Sequence, residues 1–416
     1  MLKLQQVSDF NVATIDLSAL KNNFKIIQNY RPTRPLMPVI KGDAYGHGLV
    51  ECAKALVEAG ATSFGVLDVL EGARLREAGI TREAIFVLSG MDSGWQINQA
   101  IEHRLSAFVY SLQQLATFGL LVPNNAPSVD VFLKIDTGMS RLGASVYQAE
   151  DLFKKARIMN SVNVVGVATH LATLGDGHAL KQLEAFWKIA SLAENLLGDK
   201  LVNSALSGGA CLAHPDYPDG ISRPGLVLYG VQPQLGKEPL PHFPPPWPRQ
   251  EDPLAFRRLP GSANSGLPVT PSWTAKALEV MKLLKPVMRV RSRIIQVKDI
   301  RRGDCVSYGR EYQAKTALKI GVIPMGYLNG LHVDRSNRLQ AIVQGQLVPQ
   351  IGRICMNLSV FDLSEVGSRV SVGDEVVILG SQGKNVLDAF QEFQGQKQNP
   401  YETLCLLGRL NQRRYD

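Results

Sequence analysis

Lys41 stands between an apolar run and a glycine-dense loop, in the stretch Val39-Ile40-Lys41-Gly42-Asp43-Ala44-Tyr45-Gly46-His47-Gly48. An amine held in a partly desolvated pocket loses some of its basicity and becomes a nucleophile or Schiff-base former. A surface lysine capping a strand is the reading that local sequence leaves open beside it. Other groups capable of chemistry follow along the chain. Lys134 lies in the run 129–135, and the turn-rich loop Asp136-Thr137-Gly138-Met139-Ser140-Arg141 after it delivers Arg141. His170 follows the run 164–169, and Arg223 ends the run 221–223. Ser207-Gly208-Gly209-Ala210 and Pro224-Gly225-Leu226 are built of small residues that let backbone N–H groups approach an anion.

These groups share a position relative to the elements that must carry them. From residue 37 to about 225, short apolar runs alternate with amphipathic stretches, the pattern of repeated βα units around a parallel sheet. The runs 37–41, 64–67, 85–88, 105–109, 129–135, 164–169, 201–204 and 221–223 make eight candidate strands, which predicts an α/β fold, a (β/α)8 TIM-type barrel. A doubly wound open sheet shows a similar alternation. In a barrel, all strands open their carboxyl ends on one face, and the loops after strands seven and eight commonly bind phosphate. A reactive lysine beside a phosphate cradle describes pyridoxal 5'-phosphate (PLP).

Ten prolines between Pro239 and Pro271 exclude a helix or central strand there. The segment 235–275 reads as a proline-rich linker with polyproline II character near 243–248. Beyond it, period-two runs at 287–297, 317–324, 340–343, 348–353, 359–363 and 375–379 predict a smaller, mainly antiparallel β domain. The expected organisation is thus a barrel over 1–234, the linker, and a β domain over 276–416.

At 416 residues, two domains are the prior. No basic stretch followed by an apolar core opens the chain, and no run of about 18 apolar residues could span a bilayer. The expectation is a cytoplasmic protein with no membrane contact. Five scattered cysteines without CxxC spacing argue for reduced thiols, not disulfides or a zinc site, so no metal is expected. Cys355 has no base at motif spacing and reads as packing. The 45 Lys+Arg against 37 Asp+Glu give a net charge of +8, which suits an anionic ligand. The dispersed basic residues, without aromatic interleaving, speak against nucleic acid.

The same residues carry a family resemblance. VIKGDAYGHG at 39–48, LKIDTGMSRLG at 133–143, THLAT at 169–173, RPGLVLYG at 223–230, VSYG at 306–309 and GRICMN at 352–357 resemble, in this order, the bacterial alanine racemases. The likeness spans nearly the whole chain outside the proline-rich segment. It implies a PLP-dependent isomerase that interconverts L- and D-alanine, supplying D-alanine for peptidoglycan, and a homodimer with active sites at the subunit interface.

By the resemblance, Lys41 carries PLP and is one catalytic base, while Tyr308 is the second, contributed by the partner subunit. Racemisation needs a base on each face of the substrate Cα, and PLP delocalises the charge left behind. Arg223 would hydrogen-bond the pyridine nitrogen; a guanidinium does not surrender its proton, which restrains side reactions such as transamination. The resemblance further implies that His170 orients Arg223, and that Arg141 reaches the PLP phenolic oxygen and the substrate carboxylate. Lys134 matches a position that relatives carbamylate, where the new negative charge would hold Arg141. Tyr45, Ser207, Gly225, Leu226 and Tyr415 match phosphate-binding positions. Met356 matches a residue whose N–H meets the substrate carboxylate, and Tyr327 matches an entrance tyrosine.

Asn357 and Asn329 stand where many relatives have aspartate, and the turn before Tyr415 is altered. Two readings remain beside the leading one: a racemase of broader amino-acid specificity or a related fold-type decarboxylase, and a PLP-binding barrel without turnover. Comparing rates on L-Ala, L-Ser and L-Lys separates the first. The presence of a β domain counts against the second.

Overall fold

The computed structural model describes residues 10–123, 125–174, 176–198, 201–231, 275–389 and 399–416. The proline-rich segment lies outside the described residues except Ala275, which opens helix Ala275–Leu283.

The parallel strands Ser63–Val66, Ala84–Val87, Ser106–Val109, Val129–Asp136, Val162–Ala168 and Val202–Ser204 lie side by side in chain order. Two expected strands, 37–41 and 221–223, are not regular strands. They complete the ring through single parallel bridges, Leu36 to Ser222, Val39 to Gly65 and Ser207 to Arg223. Pro35, Pro38 and Pro224 explain the difference, since each removes an N–H that a continuous ladder would use. The carbonyls still serve: Met37 N–H donates to Ser222 O at 2.8 Å, Val39 N–H to Pro224 O at 2.8 Å, and Gly65 N–H to Pro38 O at 2.9 Å. The barrel interior holds Met37, Phe86, Phe108, Phe132 and Ala168, with the Phe132 ring 5.2 Å from both Phe86 and Phe108.

The second unit is a sheet ordered Gln296–Ile300, Leu318–Ile323, Ser359–Asp362, Gln346–Ile351, Gln340–Val343, Glu375–Gln382, Met288–Arg293, Val12–Ile15 and Gln412–Tyr415. Its pairings are antiparallel except the last, where the first and last described strands run parallel. Val12–Ile15 therefore belongs to the sheet of the C-terminal unit. The expected single strand 287–297 is two, Met288–Arg293 and Gln296–Ile300, because its halves pair with different neighbours.

Helix Pro400–Leu410 begins on Asn399, whose side chain accepts from Tyr401 N–H, with Pro400 in its first turn. It packs on the loop after Lys41 so closely that a Cβ on Gly46 would sit 2.6 Å from Leu404 O, and one on Gly408 2.1 Å from Gly46 O. Among the described residues, no helix is long and apolar enough to cross a membrane.

Candidate active site

Lys41 does not end a strand, as the sequence suggests, but opens a left-handed turn. Gly42, Asp43, Ala44 and Tyr45 have φ of 66°, 58°, 55° and 52°. For residues with a side chain this conformation costs about 1–2 kcal/mol each, so outside contacts must hold it. Glu71 accepts from Asp43 N–H at 2.8 Å. Asp43 in turn accepts from Leu49 N–H at 2.9 Å and pairs with Arg413 of the last strand. His47 Nδ1 faces Ala44 O at 2.9 Å and Tyr45 O at 3.1 Å, so it is the donor. Burial lowers the His47 pKa to about 4, keeping the ring neutral. His47, which motif reading leaves without a role, is a staple of this turn.

Burial, and then the charge of Arg141, lower the Lys41 pKa. Burial and the charges of Arg223, Arg141 and Lys41 lower that of Lys134 to about 8. The His170 pKa falls to about 3 by burial and by Arg223, Lys134, Arg141 and Lys41, so its imidazole is neutral. Lys134 lies beside Ala168 of the adjacent strand, His170 meets Ser207, Arg223 binds Thr169 O and Val39 bridges to Gly65, so the carboxyl ends that carry these groups and Arg141 open with Lys41 on one barrel mouth.

The loop to Arg141 is folded by Asp136, whose carboxylate accepts from the N–H groups of Gly138, Met139, Ser140 and Arg141 at 2.8–3.1 Å. Burial pushes the Asp136 pKa up, but these bonds prevail and hold it below the usual value.

Arg223 is buried and donates to Ser204 O at 2.8 Å, Ser204 Oγ and Thr169 O at 2.5 Å. The contact expected from His170 to Arg223 takes another form: His170 Nδ1 meets Ser207 Oγ at 3.2 Å, while the carbonyl before it anchors the guanidinium. Burial lowers the Arg223 pKa to about 10, with Asp219 opposing, so the group stays cationic at neutral pH. Asp219 is fully buried and joins the seventh and eighth loops, accepting from Ala205 N–H at 2.6 Å, Leu206 N–H at 3.2 Å and Ser222 Oγ at 3.2 Å.

Ser207 and Gly225 flank Arg223, and the hydroxyl of Tyr45 fills the space beside Gly225. A Cβ there would lie 2.7 Å from Tyr45 Oη. Tyr45 is wedged between Tyr229 and Tyr401, with ring centroids at 5.4 and 6.2 Å. Leu226 begins the 3-10 turn Leu226–Tyr229 next to it. Tyr415, expected at the phosphate, is instead held against Gly48 and hydrogen-bonded to Glu51, because strand Gln412–Tyr415 is fixed in register with Val12–Ile15. Tyr401 is the C-terminal tyrosine that reaches this wall of the site.

Tyr308, Tyr327 and Met356 gather on the C-terminal unit. Ser307 Oγ donates to Arg353 O at 2.6 Å and touches Cys355 Sγ at 3.2 Å, while Tyr327 and Leu328 N–H donate to Cys355 and Met356 carbonyls at 3.0 and 2.8 Å. Tyr308 is 72 % exposed and Met356 55 %. Within one chain, neither contacts Lys41 among the described interactions. Asn329 pairs with Asn411, whose Nδ2 donates to Asn329 O at 2.9 Å, tying the Tyr327 turn to the end of helix Pro400–Leu410. Sequence reasoning missed Glu71, Asp219, Arg413 and Tyr401. Glu71 lies three residues after the N-capping Asp68, but nothing local says that its carboxylate leaves its own helix.

The desolvated lysine, the glycine-bearing loops and the several cations sit at the mouth of an α/β barrel that carries an appended, mainly antiparallel β domain. Residues 15–233 match the family description "Alanine racemase, N-terminal domain", and residues 287–415 match "Alanine racemase, C-terminal domain". The chain belongs to the alanine racemase family. An alanine racemase of Nostoc is 31% identical, over 94% of this chain and 92% of the relative. That of Nitratidesulfovibrio vulgaris is 32% identical, over 94% and 95%. The crystal structure of alanine racemase from D-cycloserine-producing Streptomyces lavendulae superposes with a TM-score of 0.83 at 27% identity, covering 98% of this chain and 97% of that one. Alanine racemase from Streptomyces coelicolor gives 0.82 at 27%, covering 98% of each.

Proposed function

We propose that this protein interconverts L- and D-alanine with PLP at Lys41, using Lys41 and Tyr308 as opposing bases, and so supplies D-alanine for peptidoglycan in the cytoplasm. The observation that carries this reading is Lys41 itself, presented on a restrained turn with its amine held below the usual basicity by burial and Arg141. The residues present fit PLP: Tyr45 closes on a Gly225 cradle that a Cβ would fill, and the cations around the mouth call for an anion to compensate them. Bound there, PLP supplies the electron sink that makes the substrate Cα proton labile.

The protein's groups do the rest. Lys41, neutral over more of the pH range than an exposed lysine, takes or returns the proton on one face of Cα. Tyr308 serves the other face from a second copy, which accords with its exposure and its lack of contact with Lys41 in its own chain. The active protein is therefore a homodimer. Tyr45, Ser207, Gly225 and Leu226 hold the phosphate. Arg223, fixed by three acceptors, meets the ring nitrogen as a permanent donor. Arg141 and the Met356 N–H receive the substrate carboxylate. Lys134, at a pKa of about 8, offers a fraction of neutral amine for carbamylation, and the resulting anion would steady Arg141.

The test is the absorbance spectrum of the purified protein, with L-Ala to D-Ala turnover, for wild type and Lys41→Ala. Wild type is expected to show the PLP band and to turn over L-Ala faster than L-Ser or L-Lys; the variant is expected to lose both band and activity. A colourless wild type that ignores added PLP, or a variant keeping band and activity, overturns the proposal.

A further inference from the structure

The turn that presents Lys41 is held in its left-handed form by groups outside it, and one of them comes from an unexpected place. Glu71 is the third residue of helix Val69–Glu77, where a glutamate usually reaches back to the N-cap N–H. Here one oxygen reaches across the barrel rim and accepts from Asp43 N–H at 2.8 Å, while the other turns back to Leu67 N–H, just before the N-cap, at 2.8 Å. A single carboxylate thus fastens the turn to the end of strand Ser63–Val66. The helix start does not depend on it, because Asp68 caps the Glu71 N–H at 3.0 Å. On the opposite side Arg413 grips the Asp43 carboxylate, so the peptide between Gly42 and Asp43 is held by the barrel and Asp43's side chain by the last strand. Among the charges acting on the Lys41 amine, Glu71 is the strongest that favours its protonated form.

We propose that Glu71 is a positioning residue for Lys41, clamping the left-handed turn so that the amine points into the barrel mouth. This rests on the role proposed for Lys41. Glu71 acts through Asp43 N–H, so its loss displaces the base with little change in substrate affinity.

The experiment compares wild type, Glu71→Gln and Asp68→Ala as PLP-loaded proteins, with Lys41→Ala as purified, by hydrogen exchange of the peptide covering 42–48, thermal melting, PLP titration of the stripped protein, and kcat and KM for L-Ala. Glu71→Gln leaves one neutral oxygen to serve two N–H donors that a carboxylate served with two charged ones, so exchange at 42–48 is expected to speed up by about tenfold or more. kcat is expected to fall by about 10–100-fold, as for a misplaced catalytic group, with KM within about threefold of wild type. Asp68→Ala, which weakens the same helix, is expected to leave exchange at 42–48 and kcat as in wild type. Should Glu71→Gln fail to fold, Glu71→Asp carries the comparison, its shorter arm withdrawing from Asp43 N–H while keeping the charge. Wild-type exchange and kcat in the Glu71 variant, or the same losses in Asp68→Ala, overturn the positioning role. Lys41→Ala separates the two proposals: if it keeps PLP and turnover, the reading of the site itself fails.

Discussion

Replacing Gly408 with alanine sets helix propensity against packing, and the structure says which prevails. Gly408 lies in helix Pro400–Leu410, where alanine is the better helix former by about 1 kcal/mol. The new Cβ would stand 2.1 Å from Gly46 O, whereas ordinary contact begins at 3.4 Å, so helix and turn must separate by 3.4 − 2.1 = 1.3 Å. Neither side yields easily. The turn is stapled by Glu71, Asp43 and His47, and the helix is anchored by Asn411, whose Nδ2 donates to Asn329 O and Leu407 O. An overlap of this size with backbone puts the cost at the upper end of the about 1–3 kcal/mol that overpacking brings, leaving a net destabilisation of about 2 kcal/mol after the propensity gain. The same shift falls on the turn that bears Lys41, and displacement of a catalytic group by about 1 Å lowers turnover by about 100-fold. Denaturant melts and L-Ala racemisation of the purified variant measure both. A Gly408→Ala protein as stable as wild type or more so, with unchanged kcat, would show that this close approach does not govern the Lys41 turn.

Tyr308→Phe removes one proposed base and leaves the barrel untouched, so the PLP band is expected to persist while turnover falls by about 100-fold or more in both directions; unchanged rates would return Tyr308 to an ordinary surface tyrosine. Lys134 has a folded-state pKa of about 8 against its ordinary 10.5. Between these values the unfolded chain holds a proton that the native state has released, so stability rises with pH across that window. In carbonate-free buffer, denaturant midpoints of wild type are expected to climb from pH 8 to 10 relative to Lys134→Met, and parallel pH slopes would refute it. Asp219→Ala strips the acceptor from two buried N–H groups, Ala205 and Leu206, at about 1–3 kcal/mol each, and loosens the joined loops. A lower melting temperature and weaker PLP binding in titration are expected; wild-type values of both would count against Asp219 as the tie.

The sequence by itself determined the alternation of strand and helix, the change to period-two strands after the prolines, and the residues at strand ends. These are local properties, written in side chains two to four positions apart. Arg223 is legible in this way because it closes a short run and stands between Ser222 and Pro224, although that run joins the barrel through single bridges and not as a regular strand. What only the tertiary structure decided are meetings between distant segments. Val12–Ile15 reads like any short strand, and only the sheet reveals that it lies between Met288–Arg293 and Gln412–Tyr415. That register carries Tyr415 to Gly48 and leaves the wall of Tyr45 to Tyr401. The run 37–41 looks like a strand delivering Lys41, but its left-handed continuation through Asp43, Ala44 and Tyr45 opposes local preference. It exists because Glu71, Arg413 and helix Pro400–Leu410 converge on it from elsewhere in the chain. Local sequence specifies which conformations are cheap; packing and charge pairing across the fold decide where an expensive one is kept, and here it is kept at the lysine.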